Sequence, residues 1–387
     1  MSVQPSFAYF SCCHLCLLVV LALFHLSLSN QNPHRVLCID TERQALLEFK
    51  HALIDETKQL ASWVAEDKEC CTWAGIGCDN STGHVLWVHL PGLDGHCHSQ
   101  NYYDTEKEYE EASKQRLKGD ISSSLLDLKQ LKHLDLSCND FGGIQVPKFI
   151  GSLQNLRYLN LSKSNFGGII PPQLGNLSEL HVLSLGSFHH SVMNIQWLSS
   201  LGMLHHLDMS GVNLSKATDW LQVINTLPSL VQLHLSSCEL SNIHPYVPSL
   251  NLTSLSLLDL SFNNFHSFVP EWLFSITSLV YLDLTWCHFH GRVPSGIRSF
   301  RNLTSLELLH VAKNDFMNSS LVLKELSGSN LVSLDISSCG VSSSRLDSLR
   351  NVTSLVSLEL SGNELTKSLP KSLGDICNLR EIDLSRH

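Results

Sequence analysis

Leu128-Lys-Gln-Leu131-Lys-His-Leu134-Asp-Leu136-Ser-Cys-Asn139-Asp-Phe141 puts aliphatic residues at positions one, four, seven and nine, and Asn at position twelve. The same frame restarts at Leu153, Leu177, Leu201, Leu227, Leu252, Ile276, Leu303, Gly328, Val352 and Ile376, in steps of 24 to 27 residues. Positions seven and nine are apolar in all eleven copies, from Leu134/Leu136 to Ile382/Leu384. An earlier segment, Val85-x-x-Val88-x-Leu90, fits the start of a further copy. Alternate residues of a strand share one face, so positions seven and nine point the same way. One copy cannot bury them; stacked copies make one continuous column. Position twelve lies where the chain leaves the strand, and an Asn there serves backbone groups without a strand partner. Asn139, Asn263, Asn314 and Asn363 fill that slot, and Cys238, Cys287 and Cys339 replace it as expected buried thiols.

This is the leucine-rich repeat. It accounts for 71 leucines in 387 residues, nearly one in five. The expected fold is an α/β solenoid with a parallel concave sheet. About twelve strands at ~4.8 Å give a sheet on the order of 50 Å along its curve. The length therefore measures stacked coils rather than two or three globules. Only 16% of residues are charged, which argues against disorder. A net charge of −10 argues against a nucleic-acid partner. Gly168-Ile-Ile-Pro171, Gly291-Arg-Val-Pro294, Val269-Pro270 and Leu369-Pro370 follow the strands, and proline there turns the chain towards the convex side. No nucleophile elbow, phosphate loop, zinc-protease or kinase signature occurs, so neither an enzyme nor a cofactor is expected.

Residues 1–29 hold no Asp, Glu, Lys or Arg, and Leu15 to Leu26 is apolar except for His25. Ser27-Leu28-Ser29 then places small residues for a cut before Asn30, as in a secretory signal peptide. No later stretch reaches 18 apolar residues, so no membrane span is expected in the mature chain. Of thirteen cysteines, Cys12, Cys13 and Cys16 leave with the signal, while Cys38, Cys70, Cys71 and Cys78 cluster. Bridging the neighbours Cys70 and Cys71 is strained. Cys38–Cys70 with Cys71–Cys78 is favoured, and Cys38–Cys71 with Cys70–Cys78 stays open. His96-Cys97-His98 lacks a fourth ligand at suitable spacing, so no metal site is assigned and Cys97 is an unassigned thiol. Eight sequons, at Asn80, Asn160, Asn176, Asn213, Asn251, Asn302, Asn318 and Asn351, fit N-glycosylation of an exported chain.

Cys38-Ile-Asp-Thr-Glu-Arg-Gln-Ala-Leu-Leu-Glu-Phe-Lys precedes Leu60-Ala-Ser-Trp63, Cys70-Cys71-Thr-Trp73-Ala-Gly75-Ile-Gly-Cys78 and Gly83-His84-Val85. Thr41 with Gln44 reads as a capping box, and Ala45, Leu46, Phe49 and Leu53 as the apolar face of a helix. This order resembles the N-terminal cap of plant extracellular leucine-rich-repeat receptors. Ser124-Leu-Leu-Asp-Leu-Lys, Pro147-Lys-Phe-Ile-Gly-Ser-Leu and an acidic, Tyr-bearing insertion at about 93–116 are similar to receptor-like proteins of pathogen perception. That group includes the fungal-xylanase receptors and the leaf-mould and scab resistance proteins. The resemblance implies a right-handed superhelix and a helical, disulfide-bonded cap. It implies a pathogen-derived protein or peptide ligand, a leucine-rich-repeat co-receptor kinase as a second partner, and an extracellular place, at the plasma membrane where an anchor is present. The expected organisation is a signal peptide over 1–29, a cap over 30–84 and a solenoid over 85–387. The last copy stops in its Asn slot at His387, as expected of a fragment or truncated product. The competing reading is a secreted inhibitor of a pathogen cell-wall-degrading enzyme, similar to polygalacturonase-inhibiting proteins.

Positions five, six, eight, ten and eleven form the expected concave face. Position eight carries Asp135, Asp208, Asp259, Asp283, Asp335, Glu359 and Asp383. Repeat consensus explains that row; a basic ligand is the sharper reading. Phe262 and Trp286 at position eleven, with Tyr281 beside them, are the expected ligand anchors. Tyr158 and His206 complete the candidate ligand-binding set. His206 falls in a group with His181, His205 and His234 that suits a pH-sensitive patch.

Overall fold

Position seven of every copy lies in one register line. The computed structural model describes residues 37–93, 106–186, 190–192, 194–291, 299–315, 320–365 and 371–385. The signal-peptide reading, Cys97, Asn318, Pro294, Pro370 and the insertion before residue 106 lie outside them. Thirteen described strands form the main sheet: β1 Ile76–Cys78, β2 Val85–His89, β3 His133–Asp135, β4 Tyr158–Asn160, β5 Val182–Ser184, β6 His206–Asp208 and β7 Gln232–His234, then β8 Leu257–Asp259, β9 Tyr281–Asp283, β10 Leu308–His310, β11 Ser333–Asp335, β12 Ser357–Glu359 and β13 Glu381–Asp383. Their spatial order is their chain order. β1 runs antiparallel to β2; the others are parallel. Val88 pairs with Leu134, Leu134 with Leu159, and the line continues through Leu233, Leu258 and Leu282 to Ile382.

That line is the column expected from the repeat. Leu134, Leu159, Leu183 and Leu207 have no exposed surface, nor do their position-nine partners Leu136, Leu161, Leu185 and Met209. Ile382, in the last described strand, is 41% exposed. Between strands the chain returns through short 3-10 helices. Pro147, Pro171 and Pro270 immediately precede three of them, Lys148–Ser152, Pro172–Asn176 and Glu271–Ser275. Successive helices pack closely enough that a Cβ on Gly151 would meet the Gln173 carbonyl oxygen at 2.1 Å. Glycine at 151, inside its 3-10 helix, is therefore a packing requirement.

The Asn slot is a hydrogen-bonded staple between coils. Asn263 Nδ2 donates to Leu235 O at 2.7 Å and Leu260 O at 2.8 Å, while Oδ1 accepts from the N–H groups of Cys238 and Leu240. Asn363 repeats the pattern with Ile336 and Leu360, and with Cys339 and Val341. The Cys238, Cys287 and Cys339 thiols reproduce only the donating half, to the carbonyls of Met209, Leu260 and Val311. All three are buried and unbridged. Burial pushes the Cys339 thiol up to about 12.

Helix α1, Asp40–Ala52, caps the open edge and buries Ala45, Leu46 and Phe49. The Thr41/Gln44 capping box does not form. Ile39 is the N-cap and offers no side-chain oxygen. Asp40 opens the helix instead, held by the Arg43 guanidinium at 2.7 Å. Glu42 closes the junction with the sheet: its carboxylate accepts from the Val85 N–H and lies 2.8 Å from His84 Nδ1. The bridges are Cys38–Cys70 and Cys71–Cys78, so the open pairing is resolved. Cys138 is also disulfide-bonded. Among the described residues, no helix is long and apolar enough to cross a membrane.

Candidate ligand-recognition face

Position eleven, three residues past the strand, falls in left-handed backbone in most described copies. Its φ is positive in Cys138, Lys163, Ser237, Phe262, Trp286, Lys313 and Ser338. A bond between coils accompanies it: the Phe262 N–H donates to Thr285 O and the Trp286 N–H to Ala312 O, both at 2.8 Å. Left-handed backbone disfavours bulky side chains. The chain nonetheless carries two aromatics there, 51% and 41% exposed. Their ring centroids are 5.7 Å apart, and Lys313 Nζ lies 4.0 Å over the Trp286 ring. Phe262, Trp286 and Lys313 thus form a ridge along three successive coils.

Beside the ridge lies an open cleft of about 540 Å³ lined by His266, Trp286, His288, His290 and Lys313, among others. The His266 and His288 rings stack at 4.7 Å. The repeat frame does not reveal this cleft: His266 and His290 share position fifteen of adjacent copies and His288 sits at thirteen, beyond the strand positions by which the frame defines a binding face. Their clustering in the sequence, His266 and then His288 and His290, is the only signal.

Tyr281, the third expected anchor of this region, is in strand β9. It lies on the concave sheet, where its hydroxyl donates to Asp283 Oδ2 at 3.1 Å and lies 3.4 Å from His310 Nδ1. Burial raises its pKa, and the Asp283 charge adds to the shift. Burial works against charge on Asp283 and His310, but it is outweighed by their 3.6 Å ion pair together with the Thr285 bonds to Asp283 and the Asp335 and Glu359 charges near His310. Asp283 is held below its ordinary range and His310 above.

The acidic row has a structural task. Oδ1 of Asp135, Asp208, Asp259, Asp283, Asp335 and Asp383 accepts the N–H two residues on. This local turn closes the strand end. Asn160 does the same with Ser162. Repeat consensus therefore accounts for one oxygen of each of these aspartates.

The four histidines form two ring pairs. His181 stacks on His205 at 5.2 Å, and His206 lies 5.3 Å from His234. His206 Nδ1 is 2.8 Å from Gln232 Oε1. Burial and the neighbouring His234 lower the His206 pKa. Tyr158 belongs to a further set, stacked on His133 at 4.0 Å, with Trp87 on the other side at 4.7 Å. Burial pushes the Tyr158 phenol up to about 12 and His133 down to about 4. Of the sequons, Asn80, Asn176, Asn251 and Asn351 are exposed, whereas Asn160, Asn213 and Asn302 are half-buried.

Comparison with known proteins agrees with this construction. The leucine rich repeat N-terminal domain matches residues 39–79, and leucine rich repeats match 129–144, 155–177, 228–289 and 354–376. Receptor-like protein EIX1 of Solanum lycopersicum is 38% identical over 249 residues, 63% of this chain and 23% of that protein. Receptor-like protein Cf-9 of Solanum pimpinellifolium is 33% identical over 273 residues, 62% of this chain and 27% of its own. The chain is a leucine-rich-repeat protein related to plant receptor-like proteins. It spans about a quarter of the length of these receptor-like relatives. The PEPR1–AtPEP1 crystal structure superposes with a TM-score of 0.64 at 25% identity, covering 90% of this chain and 45% of that one. The receptor kinase HAESA of Arabidopsis shares the fold, with a TM-score of 0.55 at 22% identity, covering 89% of this chain and 65% of its own. The disulfide-bonded cap marks this receptor-like region as extracellular.

Proposed function

We propose that the chain is the ligand-recognition region of a plant receptor-like protein in defence signalling. It binds a pathogen-derived protein or peptide on its concave and lateral face, without catalysis, and a leucine-rich-repeat co-receptor kinase joins the complex. The observation that carries this reading is the Phe262–Trp286–Lys313 ridge. Exposed aromatics held on disfavoured backbone contribute nothing evident to the coil, and large rigid side chains are effective interface anchors. Tyr158, His206 and Tyr281 line the adjoining concave strands β4, β6 and β9. Glycans on the exposed sequons, and anchoring of the longer protein at the plasma membrane, belong to the same reading.

The test is Phe262→Asn/Trp286→Asn in a membrane-anchored receptor carrying this region. Leaf tissue expressing it is challenged with secreted fungal proteins, a xylanase among them. The variant loses the defence response while reaching the cell surface as the parent does. An undiminished response removes the ridge from the account.

A further inference from the structure

We propose that His89, His133 and Asp135 form a metal site at the cap end of the concave sheet, and that the donor set fits Zn²⁺. The proposal is independent of the ridge. One potential ligand atom from each residue lies within 4.8 Å of the other two. All three come from paired strands: β2 and β3 set Trp87 opposite His133 and His89 opposite Asp135. No loop has to move to bring them together.

The spacing favours coordination over a simple ion pair. His89 Nδ1 and Asp135 Oδ2 are 3.3 Å apart. Charge-assisted hydrogen bonds run roughly 2.7–2.9 Å. Ligand bonds of ~2.0–2.1 Å in a tetrahedron put neighbouring donors about 3.4 Å apart. The His89–Asp135 separation matches one tetrahedral edge, and the His133 donor lies within 4.8 Å of both.

The surroundings fix the donors as a metal shell needs. Asp135 is buried, and its Oδ1 accepts the Ser137 N–H at 2.9 Å and hydroxyl at 2.6 Å. Those bonds orient the carboxylate while Oδ2 meets His89. The His133 ring is clamped between Trp87 and Tyr158. Its Nε2 is buried with no hydrogen-bond partner, an uncompensated polar atom beside the site. His89 is 53% exposed, so an ion can enter from solvent.

Two imidazoles and one carboxylate suit Zn²⁺, whereas Ca²⁺ and Mg²⁺ call for more oxygen ligands. Three protein ligands leave a fourth position open for water or a donor from a bound partner. The ion would also tie the first strand of the repeat column to the next.

The experiment is calorimetric titration of the full exported chain with ZnCl₂, alongside Co²⁺ absorption. The wild type binds one more equivalent of Zn²⁺ than His89→Ala, and the Co²⁺ d–d band of that site is lost in the variant. His133→Gln weakens the same site at least tenfold, and His234→Ala leaves it unchanged. MgCl₂ and CaCl₂ do not compete. Metal-free melting curves of wild type and His89→Ala coincide, separating lost coordination from lost fold. Equal Zn²⁺ stoichiometry and affinity in wild type and His89→Ala, or no saturable site in the wild type, would overturn the proposal.

Discussion

The Phe262 and Trp286 rings lie 5.7 Å apart on adjacent coils, each on a backbone held at positive φ, 56° and 52°. The N–H groups of the two residues donate to Thr285 O and Ala312 O on the next coil, so that backbone is tied into the stack. An L-residue in this region costs roughly 1–2 kcal/mol, and Asn tolerates it better. Phe262→Asn therefore leaves the melting temperature unchanged or raises stability by up to about 1 kcal/mol. A thermal melt checks it. A clear loss of stability would show that Phe262 serves the fold.

Asn263 contributes to stability through side-chain bonds between and within coils. Asn263→Ala strands buried donors and acceptors, each worth ~1–3 kcal/mol, and should cost ~3 kcal/mol by chemical denaturation. Asn263→Cys should cost less, since Cys238, Cys287 and Cys339 keep the donated bond in equivalent slots. Equal losses for the two variants would deny the staple.

Much of this architecture is legible in residues alone. The aliphatic frame fixes the strand register because period two and period twenty-four agree at positions seven and nine. The slot at position twelve follows from the same argument. Thr41 and Gln44 have the spacing of a capping box, yet the N-cap lies two residues earlier, at Ile39, and the helix begins at Asp40. The hydrogen bonding of the Tyr281 hydroxyl with Asp283 and His310 is not legible in the frame, because it joins strand β9 to strand β10. The lateral histidine cleft and the His89–His133–Asp135 group depend on contacts between copies. Linear spacing within one copy does not contain them.

Packing on the convex side gives a sharp contrast. Gly151→Ala places a methyl 2.1 Å from the Gln173 carbonyl, whereas a Cβ on Gly202 meets nothing within 4 Å. Overpacking of this kind typically costs 1–3 kcal/mol. Denaturation midpoints should fall by about that amount for Gly151→Ala and stay put for Gly202→Ala.

The Asp283–His310 pair predicts a pH signature. The folded state holds Asp283 below its ordinary value of 3.8 and His310 above 6.5. The Asp283 contribution is present above 3.8 and lost as pH falls through its lowered value. The His310 contribution is present below 6.5 and lost as pH rises through its raised value. The pair is thus fully effective between about pH 4 and 6.5. The melting-temperature gap between wild type and His310→Gln should be widest there and close by alkaline pH. A gap independent of pH would refute the pairing.

Thiol labelling follows burial. Cys377 is exposed, while Cys238, Cys287 and Cys339 are buried and disfavour the thiolate. Mass spectrometry after native iodoacetamide treatment should find Cys377 modified and the other three modified only after unfolding.

The most direct test of the recognition face is equilibrium binding. Immobilised wild-type chain and Phe262→Asn/Trp286→Asn are compared against secreted fungal proteins, a xylanase included, by surface plasmon resonance. Loss of two aromatic anchors of ~2 kcal/mol each predicts at least a hundredfold weaker binding with the fold intact. Binding of equal affinity by the double variant would contradict the account.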